Sequence, residues 1–348
     1  MTIPQRGGGG GNFTLALDLM DSQCKICMMT CVRMAPGGQV GVAAGVSMLG
    51  EPVSYATQDG GKTWHPSAMT AKGFSGAFSG HDIELVMGSN GSNAKRAEDN
   101  VLTWAYVVEY NSDLPSAKPC THAPISSQCS GYATSSDMGA HWTTTDWEGT
   151  DGADTDAMYG AFPSPRVHYI SGGLVQAESE PGSQWKATVM KTTDGGASFR
   201  AVFNVTAPEA DPGKGVGGMG DIECWDEETC LAVSSCYDDN CGDRYGSFVH
   251  RTLDGGKTWK TSGLFYESVM NDVQLVGESE VMIGGGGVGL FDKAVVWHSS
   301  DRGQTWTNAS LSHAGQIMSL DVLADGSDGY ATAVFAPGQS STVYRMQR

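Results

Sequence analysis

Five copies of one eight-residue pattern punctuate the chain: Thr57–Trp64, Ser135–Trp142, Thr192–Phe199, Thr252–Trp259 and Ser299–Trp306. Each reads [Ser/Thr]-x-Asp-x-Gly-x-x-[Trp/Phe]. Each copy is a turn by its own chemistry. An Asp side chain caps the backbone of its own turn, and Gly supplies a positive φ. The Ser or Thr two residues earlier adds a second local bond, and the aromatic residue opens the next strand and packs between sheets. Asp59, Asp137, Asp194, Asp254 and Asp301 are therefore read as structural residues. Self-similarity at this scale means an array of like units that bury their faces against one another.

The pattern resembles the Asp-box, or BNR repeat, found in β-propellers such as sialidases, sortilin-type receptors, some xyloglucan-degrading enzymes and photosystem II assembly factors. The resemblance extends over nearly the whole chain. It implies an all-β fold in which each box joins the third and fourth strands of a blade. It implies little about activity, because one fold hosts many functions.

A second element precedes the boxes: Asp82-Ile83-Glu84-Leu85, Asp221-Ile222-Glu223-Cys224, Asp272-Val273-Gln274-Leu275 and Asp321-Val322-Leu323, with Arg166-Val167-His168-Tyr169 and Thr30-Cys31-Val32-Arg33 at similar distances before their own boxes. Taken as the innermost strands, these give a six-bladed propeller rather than one of seven. The last blade has room for three strands only, near Ser319–Leu323, Gly329–Phe335 and Thr342–Met346. Its fourth is expected from the alternating segment Phe13–Leu19, which closes the ring and removes an open sheet edge. Residues 12–348 then form one domain, with 1–11 a flexible glycine-rich lead. The second blade is over-long, with an insert at about 89–131 that contains Cys120 and Cys129, and long loops on a rigid scaffold commonly carry binding.

Composition narrows the partners. The formal charge is −18, from 39 acidic and 21 basic residues, which argues against nucleic acid and anionic membranes. No apolar run is long enough to span a bilayer. The nine cysteines include three close pairs, Cys120 with Cys129, Cys224 with Cys230 and Cys236 with Cys241, spaced as hairpin disulfides. Cys24, Cys27 and Cys31 form the remaining group and leave one thiol over. Three thiols without a nearby His do not make a four-ligand zinc site. Four sequons, at Asn12, Asn90, Asn204 and Asn308, add to a secreted or organelle-lumen reading. The first eleven residues lack the apolar core of a signal peptide, so the chain reads as a mature fragment or as one with an incomplete N-terminus.

Residues at the starts of the innermost strands line one mouth of a propeller channel. There Asp82, Asp221, Asp272 and Asp321 gather carboxylates, which raise one another's pKa and offer acid/base pairs or a cation cradle. Against this, a residue that recurs at an equivalent position serves the repeat, and each Asp can cap its own strand. Residues that break the symmetry are the better site candidates: His81 beside Asp82 as a base with its orienting partner, Arg166 to hold a carboxylate or sulfate, and His168 and Asn271 as ligand contacts. The acidic stretch 146–156 could hold calcium but lacks the order of an EF-hand loop, so a solvated loop is preferred; no other cofactor and no structural metal is implied. No Arg-Ile-Pro motif and no Tyr–Glu nucleophile pair of the sialidase kind can be placed. The sequence therefore points to a binding module for a protein or glycan, of unstated oligomeric state. The alternative is a glycan hydrolase or lyase that uses the mouth carboxylates, with His81 or Arg166 assisting.

Overall fold

The computed structural model describes residues 2–3, 11–18, 27–34, 38–47, 52–67, 83–86, 103–106, 131–134, 143–146, 154–164, 166–175, 186–195, 198–204, 218–236, 246–266, 269–286, 293–314, 316–322, 328–334 and 342–347. Every regular element among them is a β-strand, and every strand pairing is antiparallel. Four sheets have four strands in simple meander order. The first comprises Cys27–Met34, Gly41–Ser47, Pro52–Thr57 and His65–Ser67. Another holds Asp154–Ala161, His168–Val175, Lys186–Thr192 and Arg200–Asn204. A third holds Gly218–Cys224, Cys230–Cys236, Gly246–Thr252 and Lys260–Tyr266. The fourth holds Val269–Val276, Glu280–Gly286, Lys293–Ser299 and Thr307–Ala314. Between the first and second of these sheets in the chain lie two strand pairs, Ile83–Val86 with Thr103–Tyr106 and Gly131–Thr134 with Thr143–Asp146.

The last sheet joins the two ends of the chain. Gln316–Val322, Asp328–Val334 and Thr342–Gln347 continue into Gly11–Asp18, which pairs Phe13 with Met346 and Thr14 with Arg345. Thr2–Ile3 adds a fifth strand beyond it, so part of the expected flexible lead is sheet. Likewise Thr103–Tyr106 is a strand inside the expected insert at 89–131.

The leading strands of successive sheets lie beside one another, in the order Asp154–Ala161, Gly218–Cys224, Val269–Val276, Gln316–Val322, Cys27–Met34 and Ile83–Val86. Five of them slip register by one residue at matching places: between Ala157 and Tyr159, Met219 and Ile222, Met270 and Asp272, Ile317 and Ser319, and Met29 and Cys31. Such a bulge bends a strand and increases its twist, which suits strands that fan around a common centre. Apolar residues fill the gaps between sheets. Val273, Met270, Val281 and Ile283 pack on Leu231, Val233 and Val249 of the preceding sheet, and Ile317 and Leu320 pack on Met282 and Val296. Each such fully buried side chain contributes roughly 1.5–3 kcal/mol.

The Asp turns fold as their chemistry requires. In the first, Asp59 Oδ1 accepts from Thr57 Oγ1 and from the Thr63 amide, both at 2.9 Å, while Oδ2 accepts from Thr63 Oγ1 at 2.6 Å. Asp194, Asp254 and Asp301 repeat the arrangement with Ser198, Thr258 and Thr305; Asp137 lies outside the described residues. These bonds hold the carboxyls of Asp59 and Asp301 down at about 2. Each turn is also tied to the hairpin between the first two strands of its own sheet, by Gly60 N to Gln39 O, Gly195 N to Arg166 O, Gly255 N to Glu228 O and Arg302 N to Ser279 O. The aromatic residue reaches the neighbouring sheet, as Trp64 does edge-on to Tyr330 and Trp259 does stacked on Phe203.

Two readings of the leading strands are corrected. Arg166-Val167-His168-Tyr169 is not one of them: Arg166 stands in the hairpin before His168–Val175, the second strand, and the leading strand is Asp154–Ala161. Its acidic start, part of the presumed solvated loop, disguised it. Asp321 is not the counterpart of Asp221 and Asp272. Counted from the bulge, Ser319 is, and Asp321 sits two residues further on, level with Glu223, Gln274 and Arg33. Among the paired cysteines, Cys224 and Cys230 face each other across a hairpin and form a disulfide. Cys120, Cys129, Cys241 and Cys24 lie outside the described residues, and only the strand positions of Cys27, Cys31 and Cys236 are described.

Adjacent glycines of the first turn should respond differently to alanine. Both have positive φ, but a Cβ on Gly61 would meet the Tyr330 ring at 2.5–2.8 Å, whereas one on Gly60 meets nothing nearer than 3.3 Å. Gly60→Ala should cost about 1 kcal/mol for the backbone alone, and Gly61→Ala roughly 2–4 kcal/mol with the clash added. Urea denaturation of the two variants measures the difference.

Candidate functional site

The polar residues of the leading strands converge, and most of their bonds run from sheet to sheet. Asp221 is buried; its Oδ1 accepts from the Ile222 amide at 2.7 Å and its Oδ2 from the Val273 amide of the next sheet at 2.9 Å. Asp272 repeats this one sheet on, with Oδ2 accepting from the Leu320 amide at 2.7 Å. Ser319, at the matching place, accepts from the Val32 amide at 3.3 Å. Three successive sheets are thus pinned to their neighbours by one side chain at one register position. Asp321 makes a similar tie one level along, accepting from the Met34 amide. The sheet edge explains the geometry. Each of these strands is paired on one side in its own sheet, so alternate backbone N–H groups face the neighbouring sheet, and a buried N–H needs a partner.

At the level of Asp321 four sheets meet in one buried cluster. Arg33 Nη1 donates to Gln274 Oε1 at 2.7 Å and to the Leu320 carbonyl at 3.1 Å, and Nη2 donates to Glu223 Oε1 at 2.8 Å. Asp321 Oδ1 stands 4.0 Å from Nη1. Arg33 is 4% exposed, Glu223 9% and Asp321 7%, so this charge group is held away from water at the centre of the fan. Arg33 on one sheet reaches Glu223 three sheets away, which is possible only if the leading strands curve around a shared centre. The fork of the guanidinium matches several oxygen acceptors at once where a lysine would not.

Sequence reasoning missed Arg33, Glu223 and Gln274. The signal was a lone cation between Val32 and Met34 in an apolar run, and a charged residue there needs buried partners. The other candidates are dispersed. Arg166 is exposed, and its Nη2 reaches the Thr193 carbonyl at 3.5 Å. It lies at the hairpin end of its sheet, next to the Asp turn, not at a leading-strand start. His168 packs against Phe162 with ring centroids 4.8 Å apart. Asn271 occupies a bulge and donates from Nδ2 to the Ile317 carbonyl at 2.8 Å. His81 and Asp82 lie outside the described residues. So does 147–153 of the acidic stretch, and no group of three or more metal-binding side chains occurs among the described residues.

Two further polar groups resemble reactive sites but are built otherwise. Ser234 Oγ lies 2.7 Å from His250 Nε2, and Thr261 Oγ1 lies 2.9 Å from Nδ1. Ser234 and His250 are fully buried, and Phe203 and Phe248 flank the imidazole. Burial pushes His250 down to about 3, so it stays neutral and no substrate reaches the serine. Lys191, lowered by burial and opposed by Glu228 and Glu227, donates to the Gly255 carbonyl at 2.9 Å and lies over the Tyr169 ring. Tyr169, whose hydroxyl is raised mainly by burial, donates to Glu227 O at 2.8 Å. Both fasten one sheet to the hairpin of the next.

The fold places the chain among known structures. A protein of unknown function from Dyadobacter fermentans superimposes with a TM-score of 0.61 at 13% identity, over 96% of each chain. Trypanosoma rangeli sialidase gives 0.58 at 12% identity, over 92% of this chain and 55% of its own. A triple arginine-to-alanine mutant of AofleA from Arthrobotrys oligospora gives 0.56 at 9% identity, over 99% of this chain and 88% of its own. The fold is that of a β-propeller of the sialidase-like kind. The chain spans about half the length of the sialidase it matches. No family model and no curated protein matches it.

Removing the cation from the central cluster should be severe, because it leaves buried carboxylates without their partner. Arg33→Met is expected to cost on the order of 3–5 kcal/mol, and pairing it with Glu223→Gln should restore part of that, as measured by chemical denaturation. Acid should act in two windows. The unfolded chain protonates His250 near 6.5 while the folded chain resists until about 3, so its contribution is complete above pH 6.5 and is lost as pH falls towards 3. The contributions of Asp59 and Asp301 are complete above their ordinary 3.8 and fall away towards about 2. The melting temperature of a His250→Gln variant should therefore be flatter than that of the parent from pH 6.5 down to about 3, while the decline from the Asp turns below 3.8 is common to both.

Proposed function

We propose that the protein is a binding propeller of a secreted or lumenal compartment that recognises a protein or glycan partner. One observation carries this reading: the described leading-strand acids that a channel-mouth hydrolase would use are bonded to the backbone of neighbouring strands. Asp221 and Asp272 accept from Val273 and Leu320, and Asp321 accepts from Met34 beside Arg33. A general acid must present its carboxyl to a reacting atom and exchange a proton with it. Carboxylates buried as ties between sheets serve cohesion, which leaves the open faces for contact with a partner. The Cys224–Cys230 disulfide supports an oxidising compartment. Among the described residues, no helix is long and apolar enough to cross a membrane.

The architecture that goes with this reading has six blades. Five are led by the bulged strands and one by Ile83–Val86, with Gly11–Asp18 as the outer strand that completes the last. The pairing of Gly11–Asp18 with Thr342–Gln347 and the run of adjacent leading strands support it. The binding surface is expected among the long connections of the second blade, within 87–102 and 107–130.

Arrays of immobilised glycans and of peptides, probed with the intact protein, test the function, together with a turnover assay on the same glycans. Saturable binding without turnover is the expected result. Turnover that disappears in His81→Asn or Asp82→Asn, with melting unchanged, would replace binding by catalysis. Removal of residues 1–18 should abolish cooperative unfolding, because it takes away the strand that joins the chain ends.

A further inference from the structure

Two sequons stand on strands at the open edges of sheets. Asn204 ends Arg200–Asn204 and is followed by Val205-Thr206; Asn308 lies in Thr307–Ala314 and is followed by Ala309-Ser310. Among the described residues, each strand is the outermost of its sheet and paired on one side. Both asparagines are exposed. The Asn204 amide is held by its oxygen: Thr188 Oγ1 donates to Oδ1 at 3.1 Å, which is compatible with substitution on the nitrogen.

We propose that Asn204 and Asn308 are N-glycosylated and that their glycans shield these two edges. The inference rests on the secretory part of the reading above. In the transfer, Asn Nδ2 bonds to C1 of the first sugar of a lipid-pyrophosphate-linked oligosaccharide. The bond from C1 to the pyrophosphate oxygen breaks, the lipid pyrophosphate leaves, and Nδ2 gives up one proton. An open edge offers unpaired N–H and C=O groups to another strand. A bulky hydrated glycan on such a strand blocks that approach without altering the buried side of the sheet. Asn12 is not included, since its strand is paired on both sides, and Asn90 lies outside the described residues.

The test is secretion of the full chain from a eukaryotic cell behind a signal sequence, followed by peptide mapping before and after treatment with peptide N-glycosidase. Asn204 and Asn308 are expected to be recovered as aspartate after the enzyme. Thr206→Ala and Ser310→Ala, which destroy each sequon and keep the asparagine, should each remove one step in gel mobility. The same map reports Cys224–Cys230. If that disulfide is formed and both asparagines are unmodified, the chain has folded in an oxidising lumen and the glycosylation proposal fails by itself. Free Cys224 and Cys230 thiols in protein taken from its native source would overturn the secretory reading, independently of the asparagines. The enzymatically stripped protein should sediment as larger species than the glycosylated one at equal concentration, and unchanged sedimentation would overturn the shielding role.

Discussion

The tie between neighbouring leading strands is the interaction on which the rest depends. A sheet of four strands has two faces, and stacking like sheets around a centre buries both, but apolar packing alone is non-directional. It would let one sheet slide along the next. The leading strands stand at the ends of their own sheets, so some of their N–H groups face outward, and Asp221, Asp272 and Ser319 supply the acceptor from the sheet before. Because a buried N–H without a partner costs about 1–3 kcal/mol, a slip of one residue is penalised at every tie. The same bonds that fix the register hold these side chains against the backbone of the next sheet.

Arg33 adds a second constraint at the next level. It gathers Glu223, Gln274 and the Leu320 carbonyl into one buried group beside Asp321. Such a group adds little net stability over an apolar plug, since desolvation offsets the attraction. It does specify which strands meet, because only one arrangement brings the acceptors around a single guanidinium. The outer ends are governed by the Asp turns, where Tyr330 reaches from the last sheet to the first turn and Tyr169 and Lys191 reach from one sheet to the next hairpin.

The described polar residues at the centre are bonded from sheet to sheet and serve cohesion. Acid is expected to act on the same scaffold, through a buried histidine in one sheet and hydrogen-bonded carboxylates in the turns.

The turns were legible in the chain because their chemistry is local. Asp59, Asp194, Asp254 and Asp301 bond within four residues of themselves, so the pattern carries the geometry with it. The all-β class, the pairing of the N-terminal segment with the last strands and the Cys224–Cys230 bridge could be read for the same reason: alternation, ring arithmetic and hairpin spacing are properties of the sequence itself. How the Asp residues join the sheets was not, since the inter-sheet donors to Asp221 and Asp272 lie 52 and 48 residues away and a bulge shifts which residue faces them. That shift misplaced Asp321, and an acidic strand start concealed Asp154–Ala161 and sent Arg166 to the wrong end of its sheet. The partners of Arg33 lie 190 to 287 residues along the chain. A lone arginine in an apolar run tells that it must be satisfied, and only the curvature of the assembled sheets decides by whom.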